Sequence, residues 1–479
     1  MRNSVLKHFM IIGSGTFLNM LLGMLSTPII TRIVDTKEYG QLSVFKLYSS
    51  IAVMILGMGM DQAFVRFYYD KKDDDYKRSL LRCCIKIPLV AVFICSIAVI
   101  ISSYNKWIEY EFSTFIIIFL CVYSIIELIN RFSMLIVRLE YKTKLYSALN
   151  IANRIVYLVV VIPLLFIFKE SHFEVLIVVM TFSLLVCMVA GIYAQSDIWK
   201  FRGKSDSANN LDMLPIFKYA MPYVISLGIA TLFQAIDTIA LNYYGSYSQV
   251  GVYSSAMTII QVFTIVQTSF NLLWQPMSVE HYTNNPNDKT FYQKGNSIIT
   301  VVMFFVGMTL ILFKDIFVVL LGEEYRGAAT ILPFLIFNPI MYTISETTVS
   351  GLIFMKKSKM QIVIAVGACA VNIVGNSILV PLLGCEGAAI STGISYIVFF
   401  SLRTVFSNKY FYVDYKLGKF YILTLAVICY ASYNTFFKFD IWSVLGYVIC
   451  IVLMYIMYSK TIIWCFKYLL SIIKNKKQL

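Results

Sequence analysis

Four cations, Lys46, Lys86, Arg131 and Arg154, and four carboxylates, Asp61, Glu127, Asp237 and Glu346, interrupt stretches that are otherwise apolar. A charge inside an apolar helix costs a few kcal/mol or more and persists only with a partner or a purpose. Cations in a cavity within the membrane suit an anion such as a phosphate, arginine as a bidentate fork and lysine as a point charge. Carboxylates in such a setting suit the binding and release of a proton or a sodium ion. Arg154 has no carboxylate within a turn of its own sequence, so Arg154 and Lys46 lead as anion ligands. Glu127 and Arg131 are four apart, which predicts an ion pair on one helix and leaves Arg131 a secondary ligand. Lys86 lies near the end of its segment and is expected to snorkel. For ion coupling Asp237 leads, followed by Glu346, Glu127 and Asp61, the last also placed to pair with Arg66 at a membrane boundary.

Other chemistries lack their residues. Gly203-Lys204-Ser205 has Ile198 where a phosphate-binding loop needs its first glycine, so an ATP-driven motor is excluded. His8, His172 and His281 all stand at loops or segment ends, which disfavours a membrane acyltransferase. Asp73-Asp74-Asp75 sits among Lys71, Lys72, Lys77 and Arg78 and reads as a solvated charge run. The ten cysteines lie mostly in apolar segments with no Cys-x-x-Cys, so neither a disulfide framework nor a metal site is expected. No enzyme activity and no cofactor beyond a coupling H⁺ or Na⁺ are expected.

Polar residues recur at helical spacing and so share faces: Gly15, Asn19, Gly23 and Ser26; Tyr146, Asn150, Asn153, Arg154 and Tyr157; Ser226, Gln234 and Asp237. Two further stripes are Gln261, Thr264, Thr268, Asn271 and Gln275, and Asn338, Tyr342, Ser345 and Glu346. Helix-to-helix hydrogen bonds explain any single stripe, whereas five together point to a wet cavity between lobes. Asn19 and Asn150 join the candidate substrate ligands on this ground.

The elements that carry these residues are membrane helices. The chain is 59% hydrophobic and 14% charged, with a mean hydropathy of +0.75, too apolar for a soluble chain of 479 residues. About fourteen apolar segments of about 20 residues follow one another without strand-period alternation, the pattern of an all-α polytopic membrane protein. The net charge of +14 is distributed by loop. Basic residues crowd at Arg66 to Arg82, Arg138 to Lys144, Lys200 to Lys218, Lys356 to Lys359, Arg403 to Lys419 and from Lys460 onward. The alternate loops hold few: Arg32, Lys37, Lys106, Lys169, Lys314, Arg326 and Lys438. That bias puts both termini in the cytoplasm, and it attributes the positive charge to topology rather than to nucleic acid. The leader MRNSVLKHF precedes a long apolar run without a small-residue cleavage site, so a retained helix is expected.

Ser26 to Ser43 has an ungapped echo in Asp237 to Ser254: both leave an apolar helix through a polar turn and re-enter at a glycine, Gly40 or Gly251. Lys142-Thr143-Lys144 and Lys357-Ser358-Lys359 likewise open runs ending near Pro163 and Pro381. Two related lobes are expected: an N-terminal lobe over 1–195, a linker over 196–214, a second lobe over 215–407, and an appendage of two helices with a basic tail over 408–479.

Three motifs carry a family resemblance: Pro28, Arg32, Tyr39 and Gly40; Gly-Val-Tyr-Ser-Ser-Ala from Gly251 to Ala256; and Gly-x-x-Gly-Ala-Ala-Ile-Ser-Thr from Gly384 to Thr392. The chain resembles, over essentially its full length, the polysaccharide transporter family, flippases for lipid-linked O-antigen, capsule and related repeat units within the multidrug, oligolipid and polysaccharide exporter superfamily. The resemblance implies two six-helix lobes in a V-shaped exporter-type fold plus two C-terminal helices, in a bacterial cytoplasmic membrane. It implies alternating access without ATP and a cargo of undecaprenyl pyrophosphate bearing an oligosaccharide, with a glycan polymerase and assembly proteins as further partners. A cationic first lobe matches Lys46, Arg131 and Arg154. Related lipid II flippases carry arginines in their first and eighth membrane helices, whereas the eighth apolar segment here, over 249–275, has none and the first, over 9–31, has only Arg32 at its end, which disfavours a peptidoglycan precursor. The rivals are a drug exporter of the same fold, which calls for an acidic cavity, and a membrane polymerase or transferase, which calls for a long external loop.

Overall fold

The structure is a computed structural model that describes residues 18–19, 21–168, 172–200 and 212–476. Gly15, His8, Lys169, most of the expected linker with Gly203-Lys204-Ser205, and the two ends of the chain lie outside the described residues. Every regular element among the described residues is helical. Twelve helices are long and apolar enough to cross a membrane, and the shorter helix Leu21–Thr31 and the helix Leu417–Phe436 stand where the other two expected segments fall. The chain packs into two compact units, Met1–Ala235 and Ile236–Leu479.

The first unit holds α1 (Leu21–Thr31), α2 (Thr36–Leu56), α3 (Met60–Phe67), α4 (Asp74–Tyr104), α5 (Thr114–Leu139), α6 (Thr143–Ile167), α7 (His172–Ala194), α8 (Ser196–Trp199) and most of α9 (Met213–Tyr244). Short polar residues start the helices as their chemistry predicts: Asp35 accepts from the Glu38 amide at 2.7 Å to cap α2, and Asp73 accepts from the Asp75 amide to cap α4. The continuous apolar run over 42–65 belongs to two helices, α2 and α3. Met58 (φ 51°) and Gly59 (φ 67°) turn left-handed between α2 and α3, and a Cβ on Gly59 would lie 2.5 Å from the Ala220 carbonyl oxygen of α9. One end of this unit packs around Met60, Phe64, Leu81, Cys84 and Phe132. Beside that core Glu140 accepts from Lys77 at 2.7 Å and from the Tyr68 hydroxyl at 2.5 Å. Burial works to raise the Glu140 carboxyl, but these two donors outweigh it and hold the group below the usual range.

The second unit holds the end of α9, α10 (Tyr247–Asn284), α11 (Thr290–Leu312), α12 (Lys314–Val319), α13 (Ala328–Leu335), α14 (Phe337–Thr348), α15 (Ser350–Phe354), α16 (Ser358–Leu383), α17 (Cys385–Asn408), α18 (Leu417–Phe436) and α19 (Ile441–Lys476). The continuous apolar stretch over 328–353 is the series α13, α14 and α15. Gly384, at φ 57°, reverses the chain between α16 and α17. These two helices approach closely because Gly387 leaves no room for a Cβ against the Leu379 carbonyl and Gly375 none against Ser391. Two cations counted above as loop residues are instead buried. Lys314 is 2% exposed at the start of α12, and Arg403 is 6% exposed in α17 because that helix continues to Asn408.

Candidate functional site

A cavity of about 270 Å³ opens in the first unit, lined from five helical segments. Asn19 stands just before α1, Lys46 comes from α2 and Tyr123 from α5. Asn150, Asn153, Arg154 and Tyr157 come from α6, and Met180, Ser183 and Leu184 from α7. The three- and four-residue spacing within α6 puts its four residues on one face. Asn150 Nδ2 donates to the Tyr146 carbonyl one turn back at 3.0 Å, which fixes the amide and leaves its oxygen for another donor. A Cβ on Gly23 would lie 2.7 Å from Arg154 Nη2, so the glycine in α1 makes room for the guanidinium.

The charge in this cavity has one sign. Among the described residues its charged lining is Lys46 and Arg154, with no carboxylate. Among the described residues neither cation has a salt-bridge partner, and Arg154 Nε is buried without a hydrogen-bond acceptor. Four expected ligands, Arg154, Lys46, Asn19 and Asn150, therefore meet here.

Arg131 does not join them. Its Nη2 lies 2.7 Å from Asp61 Oδ2, so Asp61 pairs with α5 rather than with Arg66, which bonds Asp70 at 3.1 Å. Glu127, expected to pair with Arg131 along α5, instead accepts from Ser49 Oγ at 2.8 Å. Helix spacing gave the right face of α5 and the wrong partner, because the neighbouring helices α2 and α3 reach that face.

The other carboxylates sit in the second unit. Asp237 is 5% exposed and accepts from Thr392 Oγ1 (2.5 Å), Tyr253 OH (2.6 Å), Asn376 Nδ2 (2.8 Å) and Asn372 Nδ2 (3.4 Å). All four partners are neutral, and two of them, Tyr253 and Thr392, belong to the Gly-Val-Tyr-Ser and Ala-Ile-Ser-Thr motifs. Glu346 accepts from Arg403 Nη1 at 2.7 Å, and the same nitrogen reaches Ser345 Oγ. Arg403 also lies over the rings of Tyr342 and Phe399, at 5.6 and 5.4 Å. Sequence reasoning missed Arg403 because a basic cluster just beyond it masked the end of the helix. Tyr123, one turn before Glu127, was open to the same periodicity argument, whereas Met180, Ser183 and Leu184 belong to a run with no polar rhythm.

A family described as polysaccharide biosynthesis protein matches residues 5–281. Among solved structures the chain is similar to the lipid II flippase MurJ in an inward closed conformation, with 15% identity over 96% of this chain and 100% of that one and a TM-score of 0.67. It is also similar to an inward-facing multidrug resistance MATE family transporter of the MOP superfamily, with 13% identity over 81% of this chain and 94% of that one and a TM-score of 0.55. No curated protein matches the chain in sequence. At such identities these likenesses show a shared exporter fold.

Proposed function

This chain belongs to the polysaccharide biosynthesis protein family, and from that premise we propose that it is a flippase for a lipid-linked oligosaccharide. The cargo is an undecaprenyl-pyrophosphate-borne repeat unit, moved across the cytoplasmic membrane by ion-coupled alternating access. The observation that carries the proposal is the cavity with Lys46 and Arg154 in its wall and, among the described residues, no carboxylate. Two uncompensated cations in a low-dielectric setting repel each other and favour an anion, and a pyrophosphate supplies enough acceptor oxygens for both. Asn19, Asn150, Asn153, Tyr123 and Tyr157 offer amide and hydroxyl groups for a sugar beside it. About 270 Å³ suits a headgroup portion and leaves the polyprenyl tail to the bilayer. The fold likeness to a lipid II flippase supports a lipid-borne cargo. An exporter of cationic drugs would be served by the opposite charge.

Asp237 is the coupling residue in this reading, because its four neutral partners leave its charge to be balanced by a proton or a sodium ion. Glu346 and Asp61 already hold arginines and rank below it, as does Glu127. Arg154→Ala tests the proposal: glycan export is expected to fall by about tenfold or more, the loss from removing one charged contact to the moving group, while the protein inserts normally. Export at the unaltered rate overturns the assignment.

A further inference from the structure

Arg131 and Asp61 meet where α2 gives way to α3. The joint is three residues, Gly57-Met58-Gly59, of which Met58 and Gly59 have positive φ. Below it, α3 buries Met60, Ala63 and Phe64 against Leu128, Phe132 and Ile136 of α5, Leu80, Leu81 and Cys84 of α4, and Ala220 of α9. α3 is only eight residues long, too short to hold its place by its own hydrogen bonds. Among the described residues its charged tie to α5 is the Asp61 to Arg131 pair, and Asp61 also accepts from the Gln62 side-chain amide at 2.9 Å.

Asp61 is turned into the packed joint, and the Arg131 guanidinium reaches it from a half-open position. The void beside the pair, bounded by Gly57, Gly59, Asp61, Arg131 and Leu227 among others, measures about 10 Å³, room for one water. The larger cavity is lined by other residues, so the pair stands apart from Lys46 and Arg154.

We propose that Asp61 and Arg131 form a latch that locks the α2–α3 joint, so that Arg131 is a positioning residue and not a ligand of the transported anion. When the latch is made, α3 is held in the core at this end of the unit. When it opens, the left-handed joint lets α3 leave α5, and that end of the unit changes shape. The side-chain exposures, 10% for Asp61 and 40% for Arg131, make the two halves unequal. Losing the arginine strands a buried carboxylate, whereas losing the carboxylate leaves a guanidinium that reaches water.

The test keeps native Cys84, buried in the same core, as the sole cysteine of the full-length protein in membranes, and compares D61N, R131Q and the exchanged pair D61R/R131D. Alkylation of Cys84 by N-ethylmaleimide is expected to quicken about tenfold in each single variant, more in R131Q, and to return to within about twofold of the starting rate in the exchanged pair. Glycan export is expected to fall in both single variants and to recover in the exchanged pair. The export arm rests on the flippase reading, and the alkylation arm stands without it. Unchanged alkylation in the single variants overturns the latch. Restored protection of Cys84 with export still as low as in R131Q makes Arg131 an anion ligand and overturns the positioning role. Restored protection in a protein whose parent exports no glycan leaves the latch supported and sinks the flippase reading alone.

Discussion

Single side chains divide into those whose charge is answered within the protein and those whose charge is not. Glu346 and Arg403 answer each other deep in the second unit, at 11% and 7% side-chain exposure. Glu346→Ala therefore strands a buried guanidinium and is expected to destabilise the protein by about 3–5 kcal/mol, whereas Glu346→Gln keeps an acceptor for Arg403 and costs less. Thermal unfolding in detergent separates the two. Asp440, between α18 and α19, has its carboxyl held below the usual range by the Tyr433 hydroxyl, the largest influence, and by the Ser443 amide and hydroxyl. A depressed acid contributes stability that is complete above its ordinary value of 3.8 and is lost as pH falls through that value to the folded-state one. Melting temperature should drop on acidification from pH 6 to about pH 3 more in the parent than in Asp440→Asn. Residue types alone nominated Arg154, Lys46, Asn19 and Asn150, because an unexplained polar group in hydrocarbon has few places to go. The polar stripes, however, pointed to a cavity between lobes, and these four line one within the first unit. Residue types could not pair Asp61 with Arg131, since nothing in a linear spacing states which neighbouring helix will reach a given face.

Elements were legible where their limits coincide with polar loops and illegible where they break inside an apolar run. The joint at Gly57-Met58-Gly59 and the series α13 to α15 have no charge to mark them, so hydropathy reads straight through. Gly59 is the backbone signal at the first: Gly59→Ala adds a Cβ at a left-handed φ and 2.5 Å from the Ala220 oxygen, and should lower the melting temperature more than Gly418→Ala, where a Cβ meets nothing within 4 Å. The contact of α16 with α17 depends in the same way on Gly387. Its replacement by valine must part the two helices that carry Asn372, Asn376 and Thr392, so loss of coupling to an imposed ion gradient is expected along with loss of stability. A Gly387→Val protein that stays fully coupled would show that the spacing of these helices is not critical.

At the scale of the molecule, composition announced a polytopic helical chain, and the alternation of basic loops carries an expectation of sidedness that labelling tests. A membrane-impermeant reagent applied to intact cells should modify a cysteine placed at Trp107, in the loop between α4 and α5, and spare one at Lys72, between α3 and α4. The opposite pattern would invert the orientation and with it the direction of transport. One repeated arrangement has a wider consequence. In the first unit the cationic cavity is lined from the vicinity of α1 and from α2, α5, α6 and α7; in the second, Asp237 and its donors stand on α9, α10, α16 and α17, the first two and last two membrane helices of a six-helix series. Comparable scaffolding thus surrounds guanidinium and ammonium in one instance and a lone carboxylate in the other. These positive and negative charges stand on separate units, so altering the residues around one leaves the immediate surroundings of the other intact.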